Sequence, residues 1–152
     1  MSKLTGASPP AAWNRNVAVL TCMDTRVNPG KLLGLQAGEA HIIRNAGGRA
    51  TEDAIRSLVV SLIVLDTPEV LVIHHTDCAM GRFTNEQLRE EAERTSNVDV
   101  SQLDFLAFTN LDESVSADVA KIATSPFIRN DVAVTGLVYD VNTGQLREIR
   151  CP

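Results

Sequence analysis

At 152 residues the chain has the length of one domain, since domains commonly run to about 100–200 residues. Fourteen Lys and Arg against nineteen Asp and Glu leave a net charge of −5. With four Phe, one Trp, one Tyr and no basic cluster, this excludes the footprint of a nucleic-acid binder. The 44% apolar and 22% charged content excludes a disordered chain, and no run nears the roughly 18 apolar residues of a membrane span.

Residues 1–14 are polar, contain Pro9-Pro10, and read as an arm in front of a single domain over 15–152. They lack the apolar stretch of a secretory signal, so the expectation is a cytoplasmic protein with reduced thiols. The β-branched run at 16–21 (NVAVLT) reads as a buried strand ending at Cys22. Pro29 opens a helical pattern that leads through KLLGLQ to Gly38. Residues 40–43 (AHII) read as a second strand, closed by the turn signal RNAGG at 44–48. Thr51 caps a helix running to about Asp66, with Glu52 and Asp53 in its first turn. Its apolar residues (Ile55, Leu58, Val59, Leu62, Ile63) spread around most of its girth, which predicts burial against a sheet and against something else.

Pro68 ends that helix, and residues 70–73 (VLVI) predict a third strand leading into His74-His75-Thr76-Asp77-Cys78. Thr84 and Gln87 form a capping box for the charged helix NEQLREEAER. The stretch 96–110 is expected to carry a short helix around LDFLAF, and 112–124 a helix with Val115, Val119 and Ile122 along one side. Residues 132–138 (VAVTGLV) predict a fourth strand; the turn Asn142-Thr143-Gly144 leads into a final edge strand at 145–149. The alternation predicts an α/β fold, a mainly parallel sheet of four to five strands flanked by helices.

Three cysteines, Cys22, Cys78 and Cys151, exclude a complete disulfide framework. Functional groups of open α/β sheets gather beyond the carboxyl ends of the strands, and Cys22 and Cys78 both lie there. His75 precedes Cys78 by three residues, close enough for both to reach one metal, with Cys22 arriving from the neighbouring strand. Two thiolates and an imidazole make the Cys₂His donor set, which in catalytic zinc sites leaves a fourth position for water; Asp24 could also fill that position. Set against this is the bland possibility of three unrelated buried side chains. Their convergence at adjacent strand ends favours the metal. His41 and His74 read as structural, His74 because neighbours on a strand point to opposite faces. Cys151 reads as a bystander. If the chain stays extended past Cys22, Asp24 and Arg26 project to the same side as that cysteine, a carboxylate and a guanidinium flanking the metal.

CMDTR at 22–26, RNAGG at 44–48 and HHTDC at 74–78 resemble, in order and spacing, the motifs of the β-class carbonic anhydrases. The similarity runs from about Asn16 to Ile149. What the resemblance implies is a zinc enzyme, one Zn²⁺ per chain, that interconverts carbon dioxide and bicarbonate by attack of zinc-bound hydroxide. Its ligands would be Cys22, His75 and Cys78, and Asp24 and Arg26 its catalytic dyad. Arg44, Asn45, Gly47 and Ala79 are the candidates to border the substrate pocket, Arg44 and Asn45 first of all as shapers of their turn. The family's obligate dimer, or assembly of dimers, would account for the apolar breadth of the 51–66 helix. A zinc with two thiolates and one neutral imidazole carries no net charge and acidifies water less than one held by three imidazoles. A carboxylate held by an arginine beside it is then needed to accept the proton; swung onto the metal, it would close the site.

The sequence departs from the family in two places. Ala79 stands where most members have glycine, a strain of roughly 1 kcal/mol if φ there is positive. The region ahead of the first strand is short and lacks the glutamine of plant-type members. Hydrolases of carbonyl sulfide and carbon disulfide share the scaffold and remain the alternative, followed by a non-catalytic zinc protein.

Overall fold

A computed structural model describes residues 17–151, so the expected arm at 1–14 lies outside the described residues. Strand β1 (Val17–Cys22) is buried along nearly its whole length because it is an inner strand covered on both faces. It pairs in parallel with β2 (Ala40–Asn45) on one side and β3 (Glu69–His75) on the other. Beyond β3 come β4 (Ala133–Tyr139), also parallel, and the antiparallel edge strand β5 (Leu146–Ile149). The order β2-β1-β3-β4-β5 confirms a mainly parallel five-stranded sheet.

Helix α1 (Pro29–Leu33) is shorter than the expected run to Gly38. Asn28 caps its start, accepting from the Lys31 N–H at 3.0 Å, but Gly34 takes φ 64° and closes the helix with its own N–H. A glycine in the left-handed region ends a helix at little steric cost, and this overrides the periodicity beyond it. Helix α2 (Glu52–Val64) starts at the expected Thr51 cap. Ala54, Leu58 and Leu62 from α2 join Val115, Val119 and Ile122 from α4 (Leu111–Ala123) on the face of the sheet carrying Leu20, Val70 and Val72. Each such large side chain removed from water contributes about 1.5–3 kcal/mol. Among the described residues α2 is covered on one side, and Val60, Ile63 and Val64 stay exposed. Gly136 admits α4 to β4, since a Cβ there would lie 2.6 Å from Val115 Cγ1.

Helix α3 (Asn85–Ser96) opens with the predicted capping box, Thr84 and Gln87 each bonding the other's backbone, and buries no residue. The expected short helix around LDFLAF is absent; residues 102–108 are irregular. Leu106 has φ 56°, and the N–H groups that a helix would use go elsewhere. The Leu106 N–H donates to Asp104 Oδ1 (2.8 Å), Ala107 to Asn85 Oδ1 (3.2 Å) and Phe108 to the Met80 carbonyl (3.0 Å). The segment is therefore a strap tied down by other elements. Among the described residues no helix is long and apolar enough to cross a membrane.

Candidate metal centre

Because β1 and β3 are parallel neighbours, their carboxyl ends bring Cys22 and His75 side by side. Past β3 the chain turns through Asp77 at φ 59°, which returns Cys78 to the same spot. Cys22, His75 and Cys78 are all buried, and their ligand atoms lie within 4.8 Å of one another. The two sulfurs stand 3.9 Å apart. Two zinc–sulfur bonds of about 2.3 Å at a tetrahedral angle would place them at about 3.8 Å. His75 Nδ1 lies 2.8 Å from the Thr76 carbonyl and must donate to it, leaving the lone pair on Nε2. That Nε2 is buried and has no hydrogen-bond partner, the one such side-chain nitrogen or oxygen among the described residues. Buried polar atoms are nearly always satisfied, so this vacancy points to a ligand.

The sulfurs are electronically unlike. The bond shared with Cys78 holds the Cys22 thiol well below the usual thiol range, helped by His75 and the Asp24 and Gly47 N–H groups, against the opposing effect of burial. The Gly47 N–H lies 3.3 Å from that sulfur. Cys78 is pushed well above the usual thiol range by that shared bond and by burial. For His75, burial acts downward, but interaction with Cys22 and Asp24 outweighs it and raises the pKa. A metal entering this cluster must displace protons, as thiolate sites require.

Asp24 and Arg26 do come together, but not by strand alternation. The strand stops at Cys22 and a turn closes with the Val27 N–H on the Asp24 carbonyl at 3.0 Å. Arg26 then grips the carboxylate in a fork, Nε to Oδ1 at 3.0 Å and Nη2 to Oδ2 at 2.8 Å. Its hydrogen bonds hold the Asp24 pKa well below the usual carboxylate range. Asp24 Oδ2 lies 3.9 Å from His75 Nε2, so the carboxylate faces the cluster. Arg26 also reaches Asp77, Nη1 to Oδ2 at 2.8 Å and Nη2 to its carbonyl at 3.0 Å, and Arg82 pairs with the same carboxylate. Asp77 escaped the sequence reading; its place between His75 and Cys78 was the available signal.

Arg44 clamps the backbone of that turn, Nε to the Cys22 carbonyl at 3.0 Å and Nη2 to the Asp24 carbonyl at 2.7 Å. Asn45 closes its own turn through paired bonds with the Arg49 backbone, at 2.7 and 2.8 Å. Ala79 has no positive φ and is exposed, opening a short 3₁₀ turn, so the strain expected of an alanine there does not arise. Beside His75 and Cys78, a cavity of about 170 Å³ is bounded by Gly81, Arg82 and Phe108. His74 turns the other way and meets Ser114 Oγ at 2.8 Å, while His41 meets Ser61 Oγ at 2.7 Å. Cys151 packs by Ser116, away from the cluster.

The family model for carbonic anhydrase matches residues 17–146. The chain belongs to the β-carbonic anhydrase family. It is 34% identical over 140 residues to beta-carbonic anhydrase 1 of Mycobacterium tuberculosis, covering 92% of this chain and 85% of that protein. It is 37% identical over 158 aligned positions to a carbon disulfide hydrolase of an Acidianus species, covering 89% and 78%. The crystal structure of a carbonic anhydrase from Streptococcus mutans superposes with a TM-score of 0.89 at 46% identity, over 95% of this chain and 88% of that one. β-Carbonic anhydrases are zinc enzymes, and the donor set of Cys22, His75 and Cys78 suits that metal.

Proposed function

We propose that this β-carbonic anhydrase catalyses the reversible reaction of carbon dioxide with water to give bicarbonate and a proton, with one zinc ion held by Cys22 Sγ, His75 Nε2 and Cys78 Sγ. The observation that carries the reading is the orphaned Nε2 of His75 between two sulfurs spaced for one tetrahedral ion. Zinc bound there would supply Lewis acidity toward a water in its open fourth position. Asp24, kept ionised by Arg26, accepts the hydrogen of the attacking water at Oδ2 and turns the water's lone pair toward the carbon of CO₂. Arg26, itself anchored on Asp77, holds that carboxylate in its fork and so would keep it from becoming a further metal ligand. The cavity of about 170 Å³ suits a small linear molecule; drug-sized ligands occupy roughly 300–1,000 Å³.

The likeness to the Acidianus enzyme favours a second reading, hydrolysis of carbon disulfide or carbonyl sulfide by the same site, each step releasing one hydrogen sulfide. Stopped-flow CO₂ hydration run beside sulfide release from both sulfur substrates separates the two. Faster turnover of the sulfur compounds would exchange the readings, and turnover of none at any pH would leave a structural zinc. In the same proposal residues 15–152 are one domain, the protein is cytoplasmic, where its thiols would stay reduced, and the exposed Val60, Ile63 and Val64 of α2 support a homodimer or assembly of dimers.

A further inference from the structure

On the α4 side of β3 lies a second set of buried polar groups that the proposed reaction does not use. Asp118, on α4, has a side chain only 5% exposed. It accepts from Arg49 Nε at 2.7 Å and lies 3.2 Å from His74 Nε2. The same Nε2 is 3.1 Å from the Gly48 carbonyl, so it faces two acceptors and carries its hydrogen. A buried ion pair is a poor source of net stability compared with apolar side chains of the same volume. What the Arg49–Asp118 pair provides is geometry, and the segments it joins are those that touch the sulfurs.

One segment is the turn from Asn45 to Arg49. Gly48 is pressed against the end of β1, where a Cβ would lie 2.8 Å from the Thr21 carbonyl carbon; this closeness delivers the Gly47 N–H to Cys22 Sγ. The other is the strap. Arg49 Nη1 donates to the Leu106 carbonyl at 2.5 Å, and its guanidinium lies over the Phe108 ring at 5.7 Å. Phe108 in turn stacks on His74 with ring centres 5.9 Å apart. Phe105, Ala107 and Phe108 pack over Cys22, Cys78 and Met80.

We propose that Asp118 is a positioning residue for the metal centre. Through Arg49 and His74 it fixes both the turn whose N–H bonds Cys22 Sγ and the strap that keeps water from the two sulfurs. An N–H aimed at a thiolate withdraws charge from the sulfur, and a less donating sulfur leaves the metal a stronger Lewis acid. Loosening the turn and strap therefore weakens and detunes the site without removing a ligand. The inference rests on the zinc reading above.

The test uses the full chain loaded with zinc or with cobalt(II), as wild type, Asp118→Asn, Arg49→Lys and, as a control on the same helix, Asp112→Asn. Asp118→Asn is expected to lower zinc affinity about 10- to 100-fold in chelator competition. It should also shift the cobalt–thiolate charge-transfer bands and reduce kcat, with KM changed by less than about twofold. Arg49→Lys, which keeps the charge but loses the fork, should move each readout in the same direction and by less. Asp112→Asn, whose partner Arg147 is exposed, should move none. If Asp118→Asn does not fold, Arg49→Lys carries the test. A folded variant with wild-type cobalt bands and zinc affinity overturns the proposal even if its melting temperature falls, because a merely structural role does only that. A wild type that binds neither metal overturns the zinc reading itself, and is told apart by failing before any variant is compared.

Discussion

His74 and His75 are consecutive and equally buried, yet the two faces of β3 treat them in opposite ways. On the α4 face, both nitrogens of His74 meet protein groups: Ser114, the Gly48 carbonyl and Asp118. On the other, His75 spends Nδ1 on the Thr76 carbonyl and leaves Nε2 with nothing but two sulfurs and a carboxylate nearby. Folding rarely leaves a buried nitrogen unpaired, at a cost of about 1–3 kcal/mol, unless something else pairs it. Satisfaction thus marks scaffold and vacancy marks site, at positions one residue apart.

Truncating each histidine in turn separates the two faces most strongly. His75→Ala should reduce bound zinc from about one per chain to a small fraction and lower CO₂ hydration by more than about 1,000-fold. His74→Ala should still purify with stoichiometric zinc, its affinity lowered at most as in Asp118→Asn, but lose about 1–3 kcal/mol of stability as the Gly48 carbonyl, Asp118 and Ser114 each lose a buried partner. Metal analysis beside chemical denaturation reads both; zinc loss in His74→Ala alone would reverse the assignment.

Next in size is Asp24→Asn, which keeps the shape of the carboxylate but not its charge. Turnover should fall by about 100-fold or more while zinc content stays the same, since Asp24 lies outside the three-residue cluster. Unchanged turnover would remove Asp24 from the reaction.

A smaller effect separates the two faces by pH. Burial acts to raise the Asp118 pKa, but hydrogen bonds from His74 and Arg49 outweigh it and leave the folded value lowered. The unfolded chain, with a carboxyl pKa of about 3.9, then takes up the proton first as pH falls. The stabilisation is therefore fully present above that value and is lost below it, as pH falls through the folded pKa. Asp118→Asn should lower the melting temperature at neutral pH, and its gap to wild type should narrow below about pH 4. A gap that widens on acidification would contradict the ionised assignment.

These contrasts also show what a sequence can carry. The strands were readable because inner parallel strands need apolar runs such as VAVL and VLVI, whereas their order in the sheet was not. The Cys22, His75 and Cys78 set was readable because strand ends converge and a three-residue spacing is local. The pairing of Asp24 with Arg26 was anticipated for the wrong reason, alternation in an extended chain, where a turn closed by Val27 does the work. The strap at 102–108 does not form the expected helix because Ala107 and Phe108 give their N–H groups to Asn85 and Met80, and partners distant in sequence leave no periodic trace. The Arg49–Asp118 bond, spanning 69 positions, was invisible for the same reason.

The smallest predicted effect concerns Ala79, the residue that follows the last cysteine of the cluster. If Ala79 stood where only glycine fits, Ala79→Gly would relieve strain and stabilise the protein. Its φ is not positive, and its side chain is exposed at the start of a 3₁₀ turn. Glycine then gains nothing in the folded state and adds freedom to the unfolded chain, so Ala79→Gly should destabilise by about 0.4–1 kcal/mol. Denaturant titration resolves the sign, and stabilisation would show that the backbone after Cys78 is strained. The left-handed residue of this loop is Asp77 instead, and that conformation is what returns Cys78 to His75 while presenting a carboxylate to Arg26. Here the loop's glycine-like turn and its ion pair are carried by one residue, which frees position 79 to be an ordinary alanine.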